Sequence, residues 1–231
     1  MRRPIGALLL LVLLSGTSEA TPPVEEIVRR HIEAIGGTER WQKVQTLMVK
    51  GTTAFGSFTW VWKQPNMVRT EDREIGGAGR TIVTAFDGTT AWTVNGYKES
   101  PQPRRLKPAA QSGWATRLVL RSDLLDLPKG SELKFLGYDT VNGRIAYKLS
   151  LKREGRDEVR LWIDRESFLL VQRAREVMAP WGEEKDVVTP LLDYRQVDGV
   201  LIPHKIATTP LTIEVNAELD DALFRPPRDL E

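Results

Sequence analysis

From Val44 onward the sequence returns repeatedly to one pattern, short runs in which apolar and polar residues alternate. They are "TLMVKGT", "SFTWVWK", "NMVRTED", "RTIVTAF" and "TAWTVN", then "ELKFLGYD", "RIAYKLSLK", "DEVRLWID", "FLLVQRAREV", "DVVTPLLDYRQV", "VLIPHKIAT" and "LTIEVNAEL". A period of two marks strands with one covered face. Between the runs stand Asp87-Gly88, Asn95-Gly96, Asn142-Gly143 and Asp198-Gly199, the strongest short hairpin signals. So many strands joined by short turns imply an antiparallel meander.

A helix precedes the meander. Val24, Ile27, Val28, His31, Ile32 and Ile35 form one apolar stripe at helical spacing within residues 21–36. Thr21 and Pro22 suit its N-cap and first position, and Gly36-Gly37 its end. Thr38 can cap a second short turn holding Trp41 and Val44. The meander is interrupted once, by "PQPRRLKPAAQSGWATRLVLRSDLLDLPKG". This segment opens as a Pro-rich loop and predicts a helical stretch over 109–126, with Trp114, Leu118 and Leu125 on one face. An apolar insert between two halves of a sheet is most simply a cover for its concave side.

The first twenty residues read as a secretory leader: Arg2 and Arg3, an apolar run from Ile5 to Leu14, and small residues at Ser18 and Ala20 before a cleavage site. Residues 1–20 are thus expected to be removed near Ala20 and residues 21–231 to form a single exported, periplasmic domain. The apolar run is too short for a membrane span, which needs about 20 residues. With no cysteine, a lipidated N-terminal anchor, disulfides and thiol catalysis are excluded. The net charge of +2 is too small for nucleic-acid binding, and "PRRLKP" is too short a basic run.

In "FGSFTWVWKQP", Phe58, Trp60 and Trp62 share one strand face. Three aromatics of this kind present about 600 Å², as large as the biggest apolar patch, about 300–600 Å², on a normal soluble monomer. Burying them contributes up to about 15 kcal/mol at ~25 cal/mol per Å², an upper bound. The face must therefore be covered. Two covers fit: an ordinary core packed by the helices, or a cavity that admits acyl chains.

No residue advocates catalysis. There is no HExxH, no GxSxG, no glycine-rich phosphate loop and no Cys/His cluster, and the protein is read as a non-enzyme without metal or cofactor. His31 lies on the apolar stripe and is read as a packing residue. His204 lies on a strand, facing solvent or a neighbour. Asp220-Asp221 and Glu183-Glu184 are read as solvated turn charges.

The order of motifs carries a resemblance. "IEAIGG", "VQTLMVKG", "WKQPNMVRTE", "TAFDGTTAWTVNG", the apolar insert, "NGRIAYKLSLKREG", "VRLWIDRESFLLVQ", "LLDYRQVDGVLIPHKI" and "IEVNAELDDALFRPP" follow one another as in the LolA/LolB-like superfamily of periplasmic lipoprotein-sorting proteins. The resemblance implies a mainly β fold with α elements. It would be a curved antiparallel sheet forming an incomplete β-barrel, with an N-terminal helix and a helical lid over an apolar cavity. It implies a monomeric carrier that shields lipoprotein acyl chains or another lipid in outer-membrane biogenesis, handed between membrane-associated donor and acceptor proteins. Phe58, Trp60, Trp62, Trp92, Trp114 and Leu118 would line the cavity. Pro65 and Arg69 match the family's Pro and Arg after the second strand, and Arg69 would be a lid contact. Asp87-Gly88 and Trp92 match its turn and following strand. The alternative is a non-transport envelope module that recognises a protein partner, as a regulator or scaffold does.

Overall fold

The computed structural model describes residues 21–76, 78–106, 120–154, 158–178, 184–228 and 230. The expectations for the leader, for Trp114, for Leu118 and for a helix over 109–119 lie outside them. Two helices, α1 (Val24–Ala34) and α2 (Thr38–Lys43), precede the strands. These are β1 (Thr46–Thr52), β2 (Gly56–Lys63), β3 (Met67–Glu74), β4 (Thr81–Phe86), β5 (Ala91–Asn95), β6 (Arg104–Arg105), β7 (Glu132–Val141), β8 (Arg144–Lys152), β9 (Val159–Asp164), β10 (Leu170–Met178), β11 (Glu184–Val197), β12 (Val200–Ile206) and β13 (Thr209–Val215).

All thirteen strands join one antiparallel sheet in the order β6-β5-β4-β3-β2-β1-β13-β12-β11-β10-β9-β8-β7. The sheet is curved and does not close into a barrel. Its hairpins follow the turn chemistry. Asn142 (φ 50°) with Gly143 (φ 78°), and Asp198 (φ 47°) with Gly199 (φ 80°), hold the paired positive angles that two-residue hairpins of matching twist require. At Asp87 the loop is longer, and the Asp87 carboxylate accepts from the Thr89 and Thr90 amides at 2.8 and 2.7 Å.

The topology makes one demand. β6 and β7 follow each other in sequence but occupy opposite edges of the sheet. The chain between them must therefore run from one edge to the other. Its described part crosses the inner face, the side that carries the helices. Leu120 and Leu125 bury themselves with Trp62 and Val68, and Leu124 with Leu149 and Leu161. Over 120–126 this cover is a series of turns, not the helix expected there. The Ser122 hydroxyl accepts from the Leu124 amide at 3.3 Å, and the Ser122 carbonyl from the Leu125 amide at 3.2 Å. Such local bonds compete with a helical ladder.

Both helix starts differ from expectation. Extended Pro23 precedes α1, and Thr21 instead shares a 2.8 Å hydrogen bond with the Tyr138 hydroxyl. Gly37, at φ 83°, precedes α2, because the reversal between the helices needs a left-handed residue and Thr38 falls inside the helix. The stripe itself holds: Ile27 and His31 are sealed in the core, with Val24, Val28 and Ile32 partly buried beside them.

Candidate functional site

The inner aromatic row is built by register. In antiparallel pairs, residues directly opposite share a face. Leu47, Val49 and Gly51 of β1 stand opposite Trp62, Trp60 and Phe58 of β2, which in turn oppose Val68, Thr70 and Asp72 of β3. β4 continues the rows with Phe86, Thr84 and Ile82. Gly51 makes the close packing possible, because a Cβ there would lie 2.3 Å from the Phe58 ring. Phe58 and Trp60 stack at 4.4 Å between centroids with 25° between planes. Trp62, only 8% exposed, is core, and the Arg121 guanidinium lies 5.5 Å from its ring centre. Phe58 and Trp60 are half-buried.

Phe58 opens the row toward the rim. A groove of about 240 Å³ there is lined by Thr53, Phe55, Phe58, Asp72, Ile82 and Tyr97, among others. The rim carries apolar side chains in solvent: Phe55 is 87% exposed, Ile75 55% and Tyr97 46%. The other half of the inner face contrasts with this. Under α1, Tyr147, Leu149, Leu151, Leu161, Ile163, Phe168 and Leu170 pack with Ile27 and Leu124. A residual void beside His31, Trp41, Ser122 and Tyr194 measures about 10 Å³, room for one water at most.

Trp92 and Arg69 do not belong to this row. Trp92 opposes Ala85, which opposes Arg69, which opposes Val61; all four lie on the outer face. The C-terminal segment straps that face. The Thr46 hydroxyl donates to Ala217 O at 2.7 Å and Lys63 Nζ to Leu219 O at 2.9 Å. Arg69 Nη1 donates to Leu223 O at 3.2 Å and Trp92 Nε1 to Phe224 O at 2.9 Å. Phe224 is fully buried. Arg69 also bonds Glu71 at 2.9 Å. Both residues thus hold the strap, not a cavity wall or a contact to an inner cover. The sequence signal for this was present. "TIVTAF" and "AWTVN" are apolar at both parities, as strands covered on two faces are.

Both histidines are buried and hydrogen-bonded. His31 is buried, with Nδ1 2.8 Å from Phe168 O and Nε2 2.7 Å from the Ser122 hydroxyl. Burial pushes its pKa down to about 4, so the ring is neutral at pH 7. His204 is buried and lies 3.0 Å from Ile202 O through Nδ1. Among the described residues, no group of three or more His, Asp or Glu is placed to hold a metal.

These features define a class by architecture: an open, curved antiparallel sheet whose inner face is crossed by helices and a connecting segment. Among solved structures, the chain is similar to a DUF1329 family protein from Desulfovibrio piger, with 11% identity, a TM-score of 0.55, and 89% of this chain and 98% of that one covered. It is also similar to a LolA superfamily protein from Nitrosomonas europaea (13% identity, TM-score 0.48, 89% and 98% covered). A third is a putative outer membrane lipoprotein-sorting protein domain from Vibrio parahaemolyticus (12%, 0.46, 83% and 100%). At these identities the likeness is one of fold alone. No family model and no curated protein matches the sequence.

Proposed function

We propose that the protein is an exported, periplasmic binding and carrier protein that shelters an acyl chain against the Phe58–Trp60 row. One observation carries this reading. The inner face is packed solid under α1, yet the aromatic half is left half-buried and continues into a groove at the rim. An apolar wall with few polar anchors is what a lipid chain needs. The leader and the motif order agree with it, and lipoprotein acyl chains or another lipid are the ligands they suggest. The role is binding, not catalysis, in a single domain over 21–231.

The test is lipid extraction of the purified protein with mass spectrometry, together with tryptophan fluorescence during titration with dodecyl maltoside. A saturable change is expected. Trp60→Asp should abolish it while the circular dichroism spectrum is kept. No extracted lipid and no saturable response would sink the proposal.

The exposed rim favours a second reading, in which the module recognises a protein partner as a regulator or scaffold. Phe55, Ile75 and Tyr97 around the groove would be the contact. Ile75→Ser, at the rim but outside the groove lining, should then lose the partner in a pulldown and leave alkyl binding unchanged.

A further inference from the structure

The inner face holds an unbalanced set of buried charges. Asp123, on the segment that crosses the face, meets two arginines. Arg153 Nη2 donates to its Oδ1 at 2.8 Å, and Arg173 Nη1 lies 3.3 Å from its Oδ2. The side chains of Asp123, Arg153 and Arg173 are 7%, 10% and 8% exposed. One carboxylate thus faces two guanidiniums away from water. The pairing is also incomplete. Among the described residues, Arg153 Nε and Asp123 Oδ2 are buried without a hydrogen-bond partner. Burial pushes the Arg173 guanidinium below the usual arginine range; Asp123 opposes this, and Arg175 and Arg153 add like-charge repulsion.

Placement gives the cluster meaning. Arg173 opposes Leu161 and so shares its inner face. Arg121, two residues before Asp123, lies over the Trp62 ring. Two residues span at most about 7 Å, so one short stretch links the aromatic row to the arginines. A guanidinium offers a fork of donors that fits a carboxylate or a phosphate with two parallel bonds. Here each arginine makes one contact to Asp123, and Arg153 Nε is left as a donor for a second anion. Buried charges left unbalanced are costly, so an incoming anion gains what the fold lacks.

We propose that Arg153 and Arg173 form the headgroup subsite for an anionic amphiphile, with Asp123 occupying it when no ligand is bound. This rests on the carrier reading above and narrows its ligand. The acyl chains of a lipoprotein end in uncharged esters and an amide. A fatty acid ends in a carboxylate and a phospholipid carries a phosphate, and the shared chemistry is one anionic oxygen group at the end of apolar chains. Entry of that group releases Asp123 and with it the segment 120–127, so ligand binding and movement of the cover are coupled.

The experiment measures affinities of the full chain for dodecyl phosphate, dodecanoate and dodecyl maltoside, all below their micelle concentrations. Anionic probes should bind about tenfold or more tightly than dodecyl maltoside. The ratio of dodecyl phosphate to dodecanoate separates a phosphate from a carboxylate ligand. Arg173→Gln and Arg153→Gln should each remove the anionic preference and leave dodecyl maltoside binding in place. Asp123→Asn should lower Tm, since it strands two guanidiniums, and dodecyl phosphate but not dodecyl maltoside should restore it. Equal affinity for anionic and neutral probes in the unaltered protein overturns the headgroup subsite and leaves the carrier reading standing; it needs no variant to fold. Absence of binding by every probe overturns both.

Discussion

The two halves of the inner face are made from similar strands and end differently. Under α1, β8 and β9 bring Leu149, Leu151, Leu161 and Ile163 into a filled core. Across β1 to β4, Trp62 and Val68 are sealed, but Phe58 and Trp60 are half-buried beside an open groove. The outer face differs in the opposite sense. Behind β1 to β5 it is strapped by the C-terminal segment; behind β7 to β10 it carries a small cluster of Val141, Ala146, Trp162 and Ala174. The lesson is a division of labour. A strand set that leaves part of its inner face half-buried keeps its stability by burying the outer one.

That division can be broken experimentally. The largest effect is expected at the strap. Phe224→Ala should cost about 3–5 kcal/mol in urea unfolding, because a fully buried ring leaves a cavity. A loss below about 1 kcal/mol would mean that the strap does not hold β1 to β5. Next comes the pair Leu161→Ala and Phe58→Ala. The first should cost about 2–5 kcal/mol and leave alkyl binding intact. The second should cost about 1 kcal/mol, since the ring is only half-buried, and weaken alkyl binding. The reverse ranking would erase the distinction between the halves.

His31 tests the filled half by pH. Its folded pKa, about 4, lies below the ordinary 6.5, because burial disfavours the cation. The unfolded chain therefore takes up the proton first. Its stabilising effect is complete above about pH 6.5 and is lost as pH falls from there to about 4, by about 3 kcal/mol in all. Urea midpoints of the wild type and His31→Gln at pH 7 and pH 4 should show the variant losing that share of the pH dependence. The smallest effect is at Arg69. Its bonds to Leu223 O and Glu71 lie near the surface, and Arg69→Ala should cost less than about 1 kcal/mol with alkyl binding unchanged. Loss of binding would return Arg69 to a lid role.

Much of this was legible in the residues. Alternation places Phe58, Trp60 and Trp62 on one face, and all four Asn-Gly and Asp-Gly pairs stand between neighbouring antiparallel strands, two of them as two-residue turns. Which face of a strand turns inward is a property of pairing, and pairing is not written locally. Trp92 shows this. Ala91 and Trp92 are both buried, so β5 offers no alternation to read, and only the chain of partners from Val61 through Arg69 and Ala85 places the indole outside. β6 leaves no signal in the sequence, because two arginines in a proline-rich loop carry no strand pattern. Arg173 was equally hidden. In "VQRAREV" it shares its parity with Val171, Arg175 and Val177, a mixed set that marks neither face, and only its pairing with Leu161 and the turn that brings Asp123 across the sheet show that it is interior.

The central seam of the sheet joins β1 to β13, and Asn216 and Ala217 close onto Gln45 and Thr46 across 171 positions of sequence. Each meander can zip locally, but the seam cannot form until residues 209–217 exist in the same compartment as β1. Loop-closure entropy makes such a junction the late step of assembly. A chain emerging from its N-terminus would thus display the bare edge of β1, beside its most aromatic strand, until nearly the last segment arrived. During that interval the unpaired edge is most open to pairing with a wrong strand.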